Sequence, residues 1–464
     1  MVAVYSSALS GVASNPALPT WLLLRLLAHD ENGGDGPPRL AVHRAGLTES
    51  AVAVILAHPN PDARIDFAMS TKAEPEQRAR LADDPSAKVR AALAYGPEWR
   101  KPRTKVAPLP DAVCARLLDD HEPSVREALL DSPHLTPSFA ASLATHHDPA
   151  ARRRAVRAWD ALPPERRAAL SADADPEVRR DATLRECARD ARLTAELLRD
   201  PASVPEALRR GLLGRADAER FVAERTHLVA LAENPSLPAD LVDRLALDPD
   251  DGVRLAVSLR PELSEARRMA VDFPVEQFDR GDVEWVRDGL ADPDVLRRAA
   301  TSAHPLLRRA AAMSPCLPPE LLRLLAEDED FIVHTHLALH HPDAPVEVLM
   351  HVYSRLGGTF SAWMATTHPR FPREGLAARY ADHPDGIYRL LAVRDPAAAP
   401  ELIERLSRDP DVKVRQEATG DPRLPLPRLR ETLHIPDVAF DAASNPALPE
   451  SDMATVLDAA GVGA

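Results

Sequence analysis

Lysine is almost missing from this sequence: five residues (72, 88, 101, 105 and 413) stand among 57 basic side chains, which leaves 57 − 5 = 52 arginines. With abundant alanine and proline, that bias reads as the codon usage of a GC-rich bacterial genome. Glycine is also scarce, at 18 of 464 residues, and aromatics make up 4%. A core must therefore be assembled from Leu, Ala and Val. The three cysteines (114, 187, 316) are too few and too dispersed for a disulfide framework or a metal motif, and they fit a reducing cytoplasm. No apolar run approaches the ~20 residues needed to span a bilayer, so no membrane span is expected. Residues 1–24 carry no charge, but a secretory leader is not expected there. A basic n-region is lacking, and Asn15-Pro16 and Pro19 interrupt the apolar stretch. No phosphate-binding Gly-rich loop, G-x-S-x-G, H-E-x-x-H or Cys-x-x-Cys occurs, so no enzyme class and no cofactor is indicated. A net charge of −14 disfavours nucleic acid and anionic lipid as partners unless a basic face is segregated.

Proline, in contrast, is plentiful: 45 residues, about twice the ~5% share of an average protein. Its placement is periodic. The heptapeptide Ala13–Pro19 (ASNPALP) returns unchanged at Ala443–Pro449. Related frames begin at Glu233 (ENPSLPADLVDRLALDPD) and Ser314 (SPCLPPELLRLLAEDED). Prolines 315, 342, 369, 396, 422 and 446 are spaced by 27, 27, 27, 26 and 24 residues. Periods of this size signal stacked supersecondary units.

Each unit reads as two short helices. Pro19, Pro238, Pro318 and Pro400 stand where a first helix starts, at a place whose amide needs no partner. Leu22, Leu23 and Leu26, or Leu321, Leu322 and Leu325, then form one buried stripe. Asp-Pro stops that helix, and Asp248 or Asp409 is expected to cap the next, whose apolar face is Val253, Ala256 and Val257. No strand alternation is present. The expected fold class is an all-α solenoid with repeats of about 24–27 residues.

The frame Asn-Pro-x-Leu-Pro-x-x-Leu-Leu-x-x-Leu-Ala-x-Asp-Pro-Asp-x-x-Val-Arg-x-Ala-Val resembles the leucine-rich repeat variant family, whose relatives include HEAT-like repeats. The match is good at 13–30, 233–261, 313–342 and 368–449, looser over 44–186, and poor over 187–232 and 262–305. The resemblance implies a right-handed superhelix of alternating α and 3₁₀ helices. The iron–sulfur module of some members is not implied, since its cysteine cluster is missing. The expected organisation is solenoid repeats over 1–186, with insertions at 31–38 and 95–110. An irregular helical segment at 187–232 is a hinge candidate, and further repeats fill 233–464.

An arginine stands seven residues ahead of a proline at 90, 126, 254, 308, 389 and 415. Each follows an aspartate in its unit. Stacking sets such an aspartate beside a neighbour's arginine, so Arg90, Arg126, Arg254, Arg308, Arg389 and Arg415 are expected to form a structural ladder rather than an anion site. His336 and His340 share a helical face at metal-compatible spacing, but no carboxylate or cysteine completes a set, and no metal is expected. His146-His147 ends a helix, where it suits the negative terminus. The basic stretch from Trp99 to Lys105, with Arg152–Arg154, is a solvated loop or a local basic face. Trp99, Arg100, Arg103, Trp159, His336, His340 and Trp363 are candidate partner contacts. A non-catalytic scaffold is expected, binding a protein or peptide on an extended concave surface. The alternative is a nucleic-acid-binding HEAT-like protein or one resembling HEAT-like DNA glycosylases, for which Trp285 with Asp288 or Trp159 with Asp160 supply an aromatic and a carboxylate.

Overall fold

The computed structural model of the protein describes residues 2–29, 41–97, 106–276, 279, 281–357 and 359–463. The whole of the insertion at 31–38 and the stretch 98–105, with Trp99, Arg100 and Arg103, lie outside the described residues. Among the described residues every regular element is a helix and none is a strand. Among these residues no helix is long and apolar enough to cross a membrane.

The repeat spanning 234–261 shows how the sequence dictates the local fold. The Asn234 side chain accepts a bond from the Ser236 amide, and the Leu237 amide bonds to the Asn234 carbonyl, which closes a tight corner. Pro238 follows at φ −55° and ψ 139° as the N-cap of helix Ala239–Leu245. Pro19 and Pro318 take the same N-cap place, one residue earlier than expected, while Pro400 is the first residue of its helix. A proline side chain cannot cap, but its carbonyl still receives the first helical amides, as at Val242 N to Pro238 O (3.0 Å). Leu241, Val242 and Leu245 are buried, as are Leu22, Leu23 and Leu26 or Leu321, Leu322 and Leu325 in their repeats. Each such leucine contributes about 1.5–3 kcal/mol on burial.

Asp248 does not cap the next helix. Its carboxylate closes a turn onto the Asp250 amide (2.9 Å), and Asp250 caps helix Asp251–Ser258 by accepting from Gly252 and Val253. Asp409 and Asp411 divide the work in the same way. The second helix buries Val253, Ala256 and Val257. Both helices of the repeats are α-helical; among the described residues 3₁₀ segments are confined to Arg80–Asp83, Leu143–Thr145, Trp159–Ala161 and Cys187–Arg189, so no regular α/3₁₀ alternation is present.

Second helices stack directly from repeat to repeat: Ala87–Tyr95 on Pro123–Asp131, Leu228–Glu233 on Asp251–Ser258, Gly386–Arg394 on Val412–Gly420. Small residues at these faces allow the close approach. The chain forms two compact units, Pro164–Pro372 and the pair Met1–Pro163 with Arg373–Ala464. Residues 187–232, the hinge candidate, are therefore interior to the first of these. Cys187, Leu208, Phe221 and Leu231 are there built into one buried cluster with Leu245 and Val257.

The other unit joins two distant stretches of chain. Helix Val2–Ser14 packs on Ala439–Ser444 and on Glu450–Ala459. It occupies the second-helix place of a repeat whose first helix is Glu450–Ala459. The two copies of the heptapeptide are thus consecutive corners in space. Both fold alike: Ala17 N to Asn15 Oδ1 and Ala447 N to Asn445 Oδ1 are each 2.8 Å.

Candidate functional site

The charged groups that looked most like chemistry are engaged with the fold. Arg90 clasps the Asp120 carboxylate with Nε (2.6 Å) and Nη2 (2.9 Å), while Nη1 donates to the Asp84 carbonyl (2.7 Å). Arg308 holds Asp328 and the Ser302 carbonyl in the same way, and Arg389 holds Asp409 and the His383 carbonyl. Each fork ties one repeat to the next. The bond from Arg90 holds the Asp120 carboxyl below its usual range, against the opposing effect of burial. Arg126 donates to the carbonyls of Asp120 and His121. Arg254 reaches the carbonyls of Asp248 and Asp272 and the Asp251 carboxylate, and Arg415 the Asp409 carbonyl and an exposed Asp437. Arg64 makes the same fork onto Asp84. Proline spacing missed it because Thr71 stands where the marker proline would be. Its signal was His58-Pro59 ahead of it, at the same spacing as Asp84-Pro85 ahead of Arg90.

The aromatic and histidine candidates fall in separate places. Trp159 is 8% exposed and Ala155 and Val156 beside it are buried, so this indole is core rather than an open contact. His336 is buried and its ring lies 5.8 Å from that of His340, which is half-buried. His334, in the arginine slot, lies edge-on to His351 at 5.3 Å; burial and that neighbour lower its pKa. Among the described residues no three His, Cys, Asp or Glu side chains converge as a metal site would require. His146 is held neutral-leaning by burial and by His147. Trp363 is 43% exposed on helix Phe360–Thr366.

One pair resembles a nucleophile and its base. Ser258 Oγ and His304 Nε2 are 3.0 Å apart, both fully buried. The proton, however, is on the wrong nitrogen. His304 Nδ1 accepts from the Leu306 amide (3.2 Å), so Nε2 carries hydrogen and donates to Ser258, whose own hydroxyl donates to the Leu255 carbonyl (2.7 Å). Burial drives the His304 pKa down to about 3, and its ring stacks on Phe273 at 4.2 Å. The imidazole neither takes the serine proton nor meets solvent. This dyad is structural.

The arrangement that does face solvent lies in unit Pro164–Pro372. An open cleft of about 510 Å³ runs along the corners of successive repeats, past Pro235, Leu259 and Pro261, to Trp285 and Asp288 on the short helix Glu284–Asp288. Trp285 is half-buried and fixed: its Nε1 donates to the Leu259 carbonyl (2.9 Å), and the Arg298 guanidinium lies 4.9 Å from the ring centre. Arg210 bonds to Glu284 across 74 residues of sequence (3.0 Å) and ties two of the walls together. The sequence offered Trp285 with Asp288 only as the aromatic and carboxylate of the glycosylase-like alternative, and it gave no sign that residues 188–261 line the same cleft. No protein-family model matches the chain, and no curated protein sequence matches it.

Proposed function

We propose that this protein is a non-catalytic helical-repeat scaffold of the leucine-rich repeat variant kind, wound as a right-handed superhelix, that binds a protein or peptide in the cytoplasm of a bacterium. The observation that carries the reading is the cleft past Trp285: a lined, open concavity with a fixed aromatic wall, set on repeat corners. Repeat proteins use such walls to seat one or two anchoring side chains among neutral contacts. The recurrent arginines do not compete with it, because their forks are spent on neighbouring repeats. The three free cysteines, two of them buried, suit a reducing compartment.

The test is selection of peptides from a random display library on the full chain, beside a gel-shift assay with duplex and single-stranded DNA at low ionic strength. Peptides that enrich and are lost on Trp285→Ala support the scaffold. Failure to enrich any peptide, or salt-sensitive DNA binding instead, rejects it in favour of a nucleic-acid protein.

A further inference from the structure

The cleft also carries information on what it receives. Its lining holds four carboxylates (Glu233, Asp282, Glu284, Asp288) and three guanidiniums (Arg209, Arg210, Arg260). Each guanidinium already has a carboxylate partner. Arg209 bonds to Glu206 (2.9 Å) and Glu233 (2.5 Å); Arg210 to Glu206 (2.8 Å) and Glu284 (3.0 Å); Arg260 to Glu262 and the Ala232 carbonyl (2.5 Å). The carboxylates at the Trp285 end share less positive charge: Glu284 has Arg210, but among the described residues Asp282 and Asp288 have only the exposed Arg287 guanidinium, at 2.7 and 3.6 Å, which also lies 3.8 Å from Glu284 and stands outside the lining. Arg298, the cation over Trp285, is outside it too, so it covers the ring from beyond the cleft.

We infer that the cleft recognises a basic side chain, an arginine or lysine carried on an extended segment of a partner protein, seated against Trp285 and among Asp282, Glu284 and Asp288. This rests on the scaffold reading and names its partner's chemistry. An incoming cation gains the quadrupole of the indole together with carboxylates that share too little positive charge. An incoming phosphate or acidic peptide meets those carboxylates and, among the described lining residues, no guanidinium that lacks a carboxylate partner. The apolar wall of Ala256, Leu259 and Pro261 serves the neighbouring residues of the segment.

The experiment uses the full chain and three fluorescein-labelled peptides of one apolar frame, differing at a single central residue: arginine, glutamine or glutamate. Anisotropy at low and physiological salt gives the affinities. The arginine peptide is expected to bind about tenfold or more tighter than the glutamine peptide, with glutamate weakest. In the double variant Asp282→Asn, Asp288→Asn, whose side chains are exposed, the arginine preference drops by about tenfold while the glutamine peptide is little changed. Equal binding of the arginine and glutamine peptides, or preference for glutamate, overturns the basic-segment inference and leaves the scaffold standing, provided Trp285→Ala still abolishes binding. Binding of all three that ignores both variants removes the cleft from either reading.

Discussion

The side-chain amide of Asn15 donates to the carbonyls of Ala443 (2.9 Å) and Asn445 (2.7 Å). Asn445 makes the same pair of bonds to Thr419 (2.8 Å) and Asp421 (2.7 Å) one repeat earlier. Arg44 then reaches the carbonyls of Ala13 (3.0 Å) and Asn15 (2.7 Å). The rungs therefore continue from residue 421 through 445 to 15 and 44 as though the chain were unbroken there.

That continuity has a measurable consequence. Asn15 and Asn445 are both fully buried, and replacing them with alanine removes the side-chain donor from the buried Ala443 or Thr419 carbonyl, while the Asn445 and Asp421 carbonyls keep the Leu448 and Leu424 amides, and it also opens the turn onto Ala17 or Ala447. Asn15→Ala and Asn445→Ala should each cost about 2–3 kcal/mol. Urea denaturation of the two variants should give similar losses. If Asn15→Ala costs under about 0.5 kcal/mol while Asn445→Ala costs several times more, the joint between the two stretches is not a true rung.

Gly11 offers a second probe of the same joint. A Cβ built on it would stand 2.7 Å from the Cβ of Ala443 and closer still to the Phe440 carbonyl, so helix Val2–Ser14 approaches Ala439–Ser444 only because residue 11 has no side chain. Gly11→Ala raises helix propensity by about 1 kcal/mol, yet overpacking of about 1–3 kcal/mol should win. The expected result is a net loss of stability with faster amide exchange in 2–14 and 439–459. A stabilised variant would contradict the close approach.

These contacts show what was legible in the sequence. Proline and asparagine punctuation, the Leu22–Leu23–Leu26 stripe and the small face of Val253, Ala256 and Val257 are local codes, each set by backbone geometry within one repeat, and each appears in the structure. Which repeats are neighbours is not a local property. The repeated heptapeptide was the one hint that residues 13–19 and 443–449 are alike, and likeness does not state adjacency. The cap moved from Asp248 to Asp250 because the sequence shows two carboxylates and not which one the turn takes up. The cleft was the hardest part: Arg210 meets Glu284 through stretches whose spacing departs from the repeat, so periodicity carried no register there.

The arginine forks separate buried from exposed ion pairs. Arg90 and Asp120 side chains are each 7% exposed, whereas Arg405 and Asp382 are 54% and 83% exposed at a similar 2.7 Å. Arg90→Ala strands a buried carboxylate and should cost about 3–5 kcal/mol. Arg405→Ala should cost under about 1 kcal/mol. The bond from Arg90 depresses the Asp120 pKa, so its contribution is complete above the unfolded carboxylate range and is lost as pH falls through the lowered value. The deficit of Arg90→Ala relative to the parent should thus narrow below about pH 4. Equal costs for the two arginines at pH 7 would sink the argument.

Asp441 behaves in the opposite sense. It lies on helix Ala439–Ser444, which carries helix Val2–Ser14, and burial first, with the Glu417 charge added, pushes its pKa up to about 6. A carboxyl whose folded pKa exceeds its unfolded value near 3.8 stabilises fully below that unfolded value. The benefit is lost as pH rises through about 6, and at pH 7 the ionised group opposes folding. Asp441→Asn keeps the shape and removes the charge. With allowance for partial solvent screening, it should gain about 1–2 kcal/mol at pH 7 and almost nothing at pH 4. Denaturant midpoints of parent and variant across that range would therefore converge as the solution is acidified. A gap that stays constant, or widens toward pH 4, would mean that Asp441 ionises at low cost in the folded protein.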